Sequence, residues 1–121
     1  MEAPALTRTA GQEKSLDLVF AAVADATRRS MLDRLRTGAL TISELAQPYD
    51  MSLNAVSKHV KTLERAGLIR RTIQGREHSC RLDAARLEEA VTWMSFYSDF
   101  WSTRLEALET HLKAKRRRGS K

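Results

Sequence analysis

Apolar residues in the first third of the chain recur at the three- and four-residue intervals of an α-helix. One such stripe predicts a first helix over about residues 16–23, through Leu16, Val19, Phe20 and Val23. A second stripe predicts a helix over residues 27–36, with Asp25 as its N-cap and Gly38 in position to end it. Residues 1–14 lack this periodicity, and we expect them to form a flexible N-terminal arm.

The next segment carries the signals of two helices joined by a short turn. Thr41 and Glu44 match a capping box, in which each side chain accepts a hydrogen bond from the backbone amide of the other residue. This box predicts a short helix over residues 42–47. After a short connection, Ser52 caps a longer helix that ends at Ala66, and its inward stripe is expected to be Val56, Val60 and Leu63.

Two short extended runs follow, over residues 68–73 and 77–82, and the glycine-containing loop 74–76 between them favours a hairpin. The chain then closes with a long predicted helix over residues 84–113. Along this helix a stripe repeats at alternating intervals of four and three residues, and all its members but Ser98 are apolar: Leu87, Val91, Met94, Ser98, Trp101, Leu105, Leu108 and Leu112. We therefore expect a mainly α domain over residues 15–113 with a small β-hairpin, in the order α-α-α-α-β-β-α.

Charge is distributed unevenly along the chain. The formal net charge is +6, and residues 113–121 alone carry that amount. Residues 52–82 carry a separate net charge of +5, beside an acidic segment of −4 over residues 83–112. One face of the domain is therefore expected to be basic, as in proteins that contact a phosphate backbone. We expect residues 114–121 to be a disordered basic tail that adds non-specific affinity for nucleic acid.

Several classes of protein are disfavoured by composition. No apolar run approaches the ~20 residues of a membrane span, and residues 1–13 contain no apolar secretory segment. Cys80 is the single cysteine, which excludes an intramolecular disulfide and fits a reducing cytoplasm. No local nucleophile–base signature or Gly-rich phosphate loop is present, so we do not expect an enzyme. The expected protein is cytoplasmic and has no membrane partner.

Two helices joined by a tight turn and followed directly by a basic hairpin are typical of a winged helix-turn-helix. A major groove is about 12 Å wide and accepts one helix, which reads bases with the face opposite its buried stripe. On the helix over residues 52–66, the outward positions expected to contact DNA are Ser52, Leu53, Asn54, Ser57, Lys58 and Lys61. Arg76 at the hairpin tip is expected to reach the flanking minor groove or its phosphates.

Other residues near this predicted interface are open to more than one interpretation. Arg70 and Arg71 lie on opposite faces of a strand, so they cannot both point at DNA. For His59 we favour a packed or hydrogen-bonded side chain over a phosphate contact, and for Cys80 a small core residue over a redox switch. A protein-interaction module that keeps this fold without specific DNA binding is the alternative function, and the basic face argues against it.

The predicted last helix has more apolar surface than one small domain can cover. Beside its main stripe it carries Trp93, Phe96, Tyr97 and Phe100. Core packing is one explanation, but the width of the apolar surface favours a dimer interface. The residues expected in that interface are Leu16, Phe20, Met94, Trp101, Leu105 and Leu108. A pocket between this helix and the first one would be lined by Phe20, Trp93, Tyr97 or Trp101, and an apolar small-molecule effector that binds there stays an open alternative.

Three segments of the chain, VADATRRSMLDRL, TISELAQPYDMSLNAVSKHVKTLERAGLIRR and QGREHSCRL, resemble the ArsR family of bacterial winged helix-turn-helix repressors. The resemblance covers about residues 16–112. It implies a homodimer whose first and last helices pair across the two-fold axis, bound to an imperfect inverted repeat in an operator. It also implies repression of an operon, often including the regulator's own gene, and release by an effector. The positions that match the family's DNA contacts are the six on the longer helix and Arg76.

The resemblance does not extend to the family's metal sensors. Those members carry a Cys-x-Cys motif in the third helix or His and acidic ligands along the last helix. Here the third helix has no thiol, and the predicted last helix has a single histidine, His111. Since a tetrahedral zinc site needs four ligands and a soft metalloid site needs thiolates, we expect a non-metal-sensing member without a metal or other cofactor.

Overall fold

A computed structural model describes residues 8–119, apart from the side chains of residues 99, 101 and 118. The described helices are α1 (Ala10–Val23), α2 (Ala26–Leu35), α3 (Ile42–Ala46), α4 (Leu53–Arg65), α5 (Ala85–Ser95) and α6 (Ser98–Gly119). The described strands are β1 (Leu40–Thr41), β2 (Ile69–Gln74) and β3 (Glu77–Leu82). This is the predicted winged helix-turn-helix, with α3 and α4 as the helix pair and β2 and β3 as the wing.

The strands form a small antiparallel sheet in the order β1-β3-β2. The predicted hairpin is confirmed, but its loop has two residues instead of three, because Gln74 pairs with Glu77 at the end of the ladder. Gly75 takes a left-handed φ of 65° at the first loop position, which glycine adopts without steric cost. Sequence periodicity gave no sign of β1, since it contributes two residues that pair with Cys80 and Ser79.

The core lies where α1, α2 and α4 meet the sheet and α5. The predicted inward stripes of α2 and α4 are confirmed as buried. The buried apolar residues are Leu16, Val19, Ala22, Met31, Leu32, Leu35, Leu45, Val56, Val60, Leu63, Ala66, Leu68, Ile69, Cys80 and Ala90. Because side chains from five helices and two strands interlock here, the orientation of α4 is set by the whole domain.

Arginines of α2 tie together the ends of neighbouring helices. Arg28 and Arg29 donate to the carbonyl oxygens of Ala22 and Val23, each at 2.7 Å, at the C-terminus of α1. Arg34 donates to the last carbonyls of α3, Leu45 O at 2.7 Å and Glu44 O at 2.8 Å. These carbonyls lie in the last turns of their helices, where backbone partners run out, although Glu44 O also accepts from the Gln47 amide at 3.4 Å. The arginines of α2 therefore donate hydrogen bonds to the C-terminal ends of both α1 and α3.

The expected N-terminal arm is wrong for residues 10–14, which lie in α1. Thr9 and Gln12 form a capping box: the Gln12 amide donates to Thr9 Oγ1 at 3.1 Å, and the Thr9 amide donates to Gln12 Oε1 at 2.8 Å. This box starts the helix six residues before the apolar stripe. The remainder of the expected arm, residues 1–7, lies outside the described residues.

The expected single last helix is divided, because the chain turns at Phe96 and Tyr97 between α5 and α6. Their amides donate three residues back, to Trp93 O at 3.3 Å and Met94 O at 3.0 Å, which ends α5. The expected disordered tail is also wrong for residues 114–119, which continue α6. Lysine and arginine are good helix formers and are favourable near a helix C-terminus, which accounts for this extension.

Over residues 8–119, no helix is both long and apolar enough to cross a membrane.

Replacing Arg34 with methionine should destabilise the fold by about 1 to 2 kcal/mol, because the Leu45 carbonyl loses its donor and the Glu44 carbonyl loses the shorter of its two hydrogen bonds. Denaturant unfolding followed by circular dichroism measures the change. Arg36→Met, an exposed position one residue beyond α2, is the matched control and should change stability by less than about 0.5 kcal/mol. Equal losses in the two variants would contradict the role assigned to Arg34.

Candidate nucleic-acid interface

Helix α4 buries one face and presents the opposite one to solvent. Its inner stripe is fully buried, as predicted. The residues predicted to contact DNA all lie on the other faces, and only Ser57 is partly covered; they are Ser52, Leu53, Asn54, Ser57, Lys58 and Lys61. Leu53 is 55% exposed, which leaves its side chain available to a partner.

The N-terminus of α4 is set by its cap and by the preceding turn. Ser52 Oγ accepts from the Ala55 amide at 3.1 Å, so its position as the N-cap is confirmed. In the turn, the Tyr49 hydroxyl and Ser30 Oγ lie 2.8 Å apart in a hydrogen bond that ties the turn to α2. These contacts hold the start of α4 in a defined place on the domain surface.

Helix α3 begins with the predicted capping box. The Glu44 amide donates to Thr41 Oγ1 at 3.1 Å, and the Thr41 amide donates to Glu44 Oε1 at 2.9 Å. The hydrogen bond from the Thr41 amide favours the ionised carboxylate, so the pKa of Glu44 is lowered. The box therefore keeps its charged acceptor at neutral pH and weakens as the pH falls through that lowered pKa.

An open groove of about 510 Å³ runs between α4 and the wing. It brings together three of the predicted contacts, Leu53, Ser57 and Arg76. Its remaining lining residues, which the sequence analysis did not select for DNA contact, are Thr41, Ile42, Ser43, Arg71, Glu77 and His78. Ser43 could have been found from its place in the first turn of α3, because that turn lies beside the N-terminal half of α4 in a helix-turn-helix.

The two strand arginines lie on opposite faces of β2, as expected, and each has an acidic partner. Arg70 Nε donates to Asp83 Oδ2 at 2.8 Å. The pKa of Asp83 is lowered, first by the hydrogen bond from the Ala85 amide and then by this contact. Arg71 Nη2 donates to Glu64 Oε1 at 3.0 Å. Both guanidinium groups are thus already neutralised within the domain.

The cations predicted to contact DNA differ from these strand arginines. Lys58, Lys61 and Arg76 are exposed. Within the described part of the chain, no carboxylate oxygen lies within 4 Å of their charged groups. They therefore supply positive potential along the outer face of α4 and at the wing tip.

His59 and Cys80 are packed inside the domain. His59 Nδ1 lies 3.3 Å from Arg28 Nη1 and 3.8 Å from Asp25 Oδ2, which confirms the preference for a hydrogen-bonded histidine. Asp25 occupies the predicted N-cap position of α2, but its side chain makes no capping hydrogen bond and faces Arg28 and His59 instead. Burial raises the pKa of the Cys80 thiol and keeps it a neutral core residue.

The residues predicted for a dimer interface do not all face outward. Leu16 is 6% exposed and belongs to the protomer's own core, so it has little surface left for a partner. Phe20 is partly buried and its ring meets Trp93 edge-to-face at 5.5 Å. Met94, Leu105 and Leu108 are largely exposed, and the Trp101 side chain lies outside the described residues.

A wide apolar surface continues along α5 and α6. Its exposed members beyond the predicted ones are Val91, Phe96, Tyr97, Phe100 and Leu112. Near its edge, a cleft of about 400 Å³ lies between α1 and α5, and it is lined by Arg8, Gln12, Leu16, Ala85, Glu88, Glu89, Thr92, Trp93 and Phe96. Of the residues expected to line an effector pocket, Trp93 lines this cleft, Phe20 and Tyr97 do not, and the Trp101 side chain lies outside the described residues.

Among the described residues, no three His, Cys, Asp or Glu side chains come together as a metal would require.

The fold and this interface define a winged helix-turn-helix protein. A family model described as a helix-turn-helix domain matches residues 23–72. The transcriptional repressor SdpR of Bacillus subtilis (strain 168) is 32% identical over 76 residues, which are 63% of this chain and 84% of that protein. The crystal structure of an ArsR family transcriptional regulator aligns with a TM-score of 0.68 and 36% identity, over 78% of this chain and 95% of its own.

A further similar structure is the solution NMR structure of a homodimeric winged helix-turn-helix DNA-binding domain from Mycobacterium bovis, described as a possible ArsR-family regulator. It aligns with a TM-score of 0.61 and 26% identity, over 74% of this chain and 86% of its own. The chain belongs to the ArsR family of transcriptional regulators, and it carries that family's helix-turn-helix DNA-binding domain.

Proposed function

We propose that this protein is a homodimeric, sequence-specific repressor that binds an imperfect inverted repeat in an operator. The helix over residues 52–66 lies in the major groove, and the wing tip over residues 74–76 contacts the flanking groove or backbone. The observation that carries the proposal is the surface of α4, with a fully buried inner stripe and an outer face whose lysines have no acidic partner in the described chain. Such a helix can enter a groove without unfolding.

The outer face of α4 supplies both kinds of DNA contact. Asn54 near the N-terminus can pair with adenine, and Lys58 with guanine or a phosphate. Ser52 and Ser57 suit phosphate oxygens, and Leu53 suits a thymine methyl group. Arg76 extends the footprint to the next groove or its phosphates. One protomer therefore covers a single half-site, which is too few contacts for strong specificity.

The second half-site is bound by a second copy of the chain. Helix α6 spans 22 residues, about 33 Å at 1.5 Å per residue, and its described residues are exposed apart from Ala114. Leu105 is 62% exposed and Leu108 53%. An apolar surface of this extent marks an interaction site. The homodimeric domain from Mycobacterium bovis has the same fold, which supports a second copy as the partner.

This assignment places the protein in the cytoplasm on double-stranded DNA, where it represses an operon that includes its own gene. A small-molecule effector that enters the cleft between α1 and α5 would adjoin the dimer surface. Binding there would change the spacing between the α4 helices of the two protomers. In this proposal, that change in spacing is how an effector releases the protein from its operator.

Lys58→Ala combined with Lys61→Ala should weaken operator binding at least tenfold. It should also reduce the slope of log K against log[salt] by up to about 1.8, since each lost phosphate contact removes about 0.9. Gel-shift titrations at four salt concentrations on the chain's own promoter fragment measure both. Arg65→Ala, an exposed cation at the C-terminal end of α4, is the control and should leave affinity within about threefold. Unchanged binding by the lysine variant would refute the assignment of α4 as the helix that contacts DNA. Binding of the wild-type protein that ignores DNA sequence would favour the alternative, a protein-interaction module without specific DNA binding.

Leu105→Glu combined with Leu108→Glu should dissociate the dimer, because two carboxylates are forced into an apolar contact. Sedimentation velocity should then show a monomer, and operator affinity should fall because each protomer holds one half-site. The control is Ala107→Glu, an exposed position on the same helix outside the apolar stripe, which should remain dimeric. A stable dimer in the double variant would reject α6 as the interface.

A further inference from the structure

Arg71 in the wing connects three elements that surround the proposed DNA groove. From β2, its Nη2 donates to Glu64 Oε1 of α4 at 3.0 Å, and its Nη1 lies 3.1 Å from His78 Nδ1 of β3. Its side chain is 14% exposed, whereas that of the adjacent Arg70 is 72% exposed. Arg71 lines the groove, but its side chain is therefore mostly covered, and its guanidinium group binds α4.

The chemistry of these contacts fixes their direction. A guanidinium group donates hydrogen bonds and accepts none, so His78 Nδ1 accepts from Arg71 and the ring proton sits on Nε2. Glu64 is the anionic acceptor on the helix side. The Arg71 side chain is 14% exposed and that of Glu64 is 36% exposed, so the ion pair is partly shielded from water and is screened less than a fully exposed pair. One side chain thus links both strands of the wing to α4.

The location of this link gives it influence over the wing tip. Arg71 lies three residues before Gln74, the last residue of β2, which is about 10 Å along a strand. Beyond the link, Ile73, Gln74, Gly75, Arg76 and Glu77 are all exposed. A small rotation of the hairpin at Arg71 therefore shifts Arg76 relative to Ser57 across the groove.

We propose that Arg71 is a positioning residue for DNA binding. Paired with Glu64 and His78, it holds the wing at the separation from α4 at which Arg76 and α4 contact DNA together, without itself touching DNA. The inference rests on the proposed function, because it assigns the geometry of that same site. The proposal predicts that removing the negative charge of Glu64 weakens DNA binding. Simple electrostatic attraction between the protein and the phosphates would not predict this loss.

The test is Glu64→Gln, which removes the acceptor charge for Arg71 and leaves every proposed DNA contact in place. Operator affinity should fall about tenfold, comparable to the loss of one charge-assisted hydrogen bond. The matched control is Glu77→Gln, which removes an equal charge at a groove residue that forms no ion pair within the described part of the chain. This variant should bind as tightly as wild type or more tightly. If Glu64→Gln binds like Glu77→Gln, the proposal is wrong.

A double-mutant cycle separates positioning from general destabilisation. In an Arg76→Ala background, Glu64→Gln should cause less than a twofold further loss, because the residue being positioned is already absent. An equal tenfold loss in both backgrounds would overturn the proposal, since it would show that Glu64 acts on the whole domain.

Hydrogen exchange on the DNA-free protein keeps this inference distinguishable from the proposed function. Amides of residues 72–78 should exchange at least fivefold faster in Glu64→Gln than in wild type, with α1 and α2 unchanged. Unchanged exchange in the wing would refute the link whatever the DNA result. If the wild-type protein binds no operator while the wing amides still respond, the proposed function fails and the link between Arg71 and α4 stands.

Discussion

The burial of one face of α4 is the constraint on which the rest of the structure depends. Val56, Val60 and Leu63 are completely inaccessible to solvent, and each such side chain contributes about 1.5 to 3 kcal/mol when it leaves water. With that face sequestered, Lys58 and Lys61 have to point outward. The apolar contacts that stabilise the domain therefore also orient the surface that we propose reads DNA.

Local signals were sufficient to predict the helix-turn-helix formed by α3 and α4. The Thr41–Glu44 capping box, the Ser52 N-cap and the apolar spacing of α4 each depend only on residues that are close in sequence. All three appear in the structure. The Thr9–Gln12 box was equally readable, but it lay outside any apolar stripe and was missed. Features that depend on tertiary contacts could not be read in this way. Sequence placed Arg71 on one face of a strand but gave no sign that Glu64 would be its partner.

The apolar surface of α5 and α6 shows a different limit of prediction from sequence periodicity. A stripe at helical spacing predicts that a face is covered, but not whether the cover comes from the same chain or from another one. Leu16 and Leu105 were assigned to the same interface on this basis, yet the first is in the protomer's core and the second is exposed. The turn at Phe96 and Tyr97 also escaped prediction because it contains neither proline nor glycine. It separates α5, which packs on α1, from α6, which we propose pairs with a second copy.

Hydroxyl-radical footprinting of the wild-type protein on its own promoter tests the central claim most directly, since it maps the DNA backbone that the two protomers cover. Our account predicts protected patches related by a two-fold axis, with the centres of the two half-sites one helical turn apart, about 34 to 36 Å, or a multiple of it. Outer patches should flank them where the wings bind, and should disappear in Arg76→Ala. Uniform protection along the fragment, or a single protected half-site at saturating protein, would contradict the account.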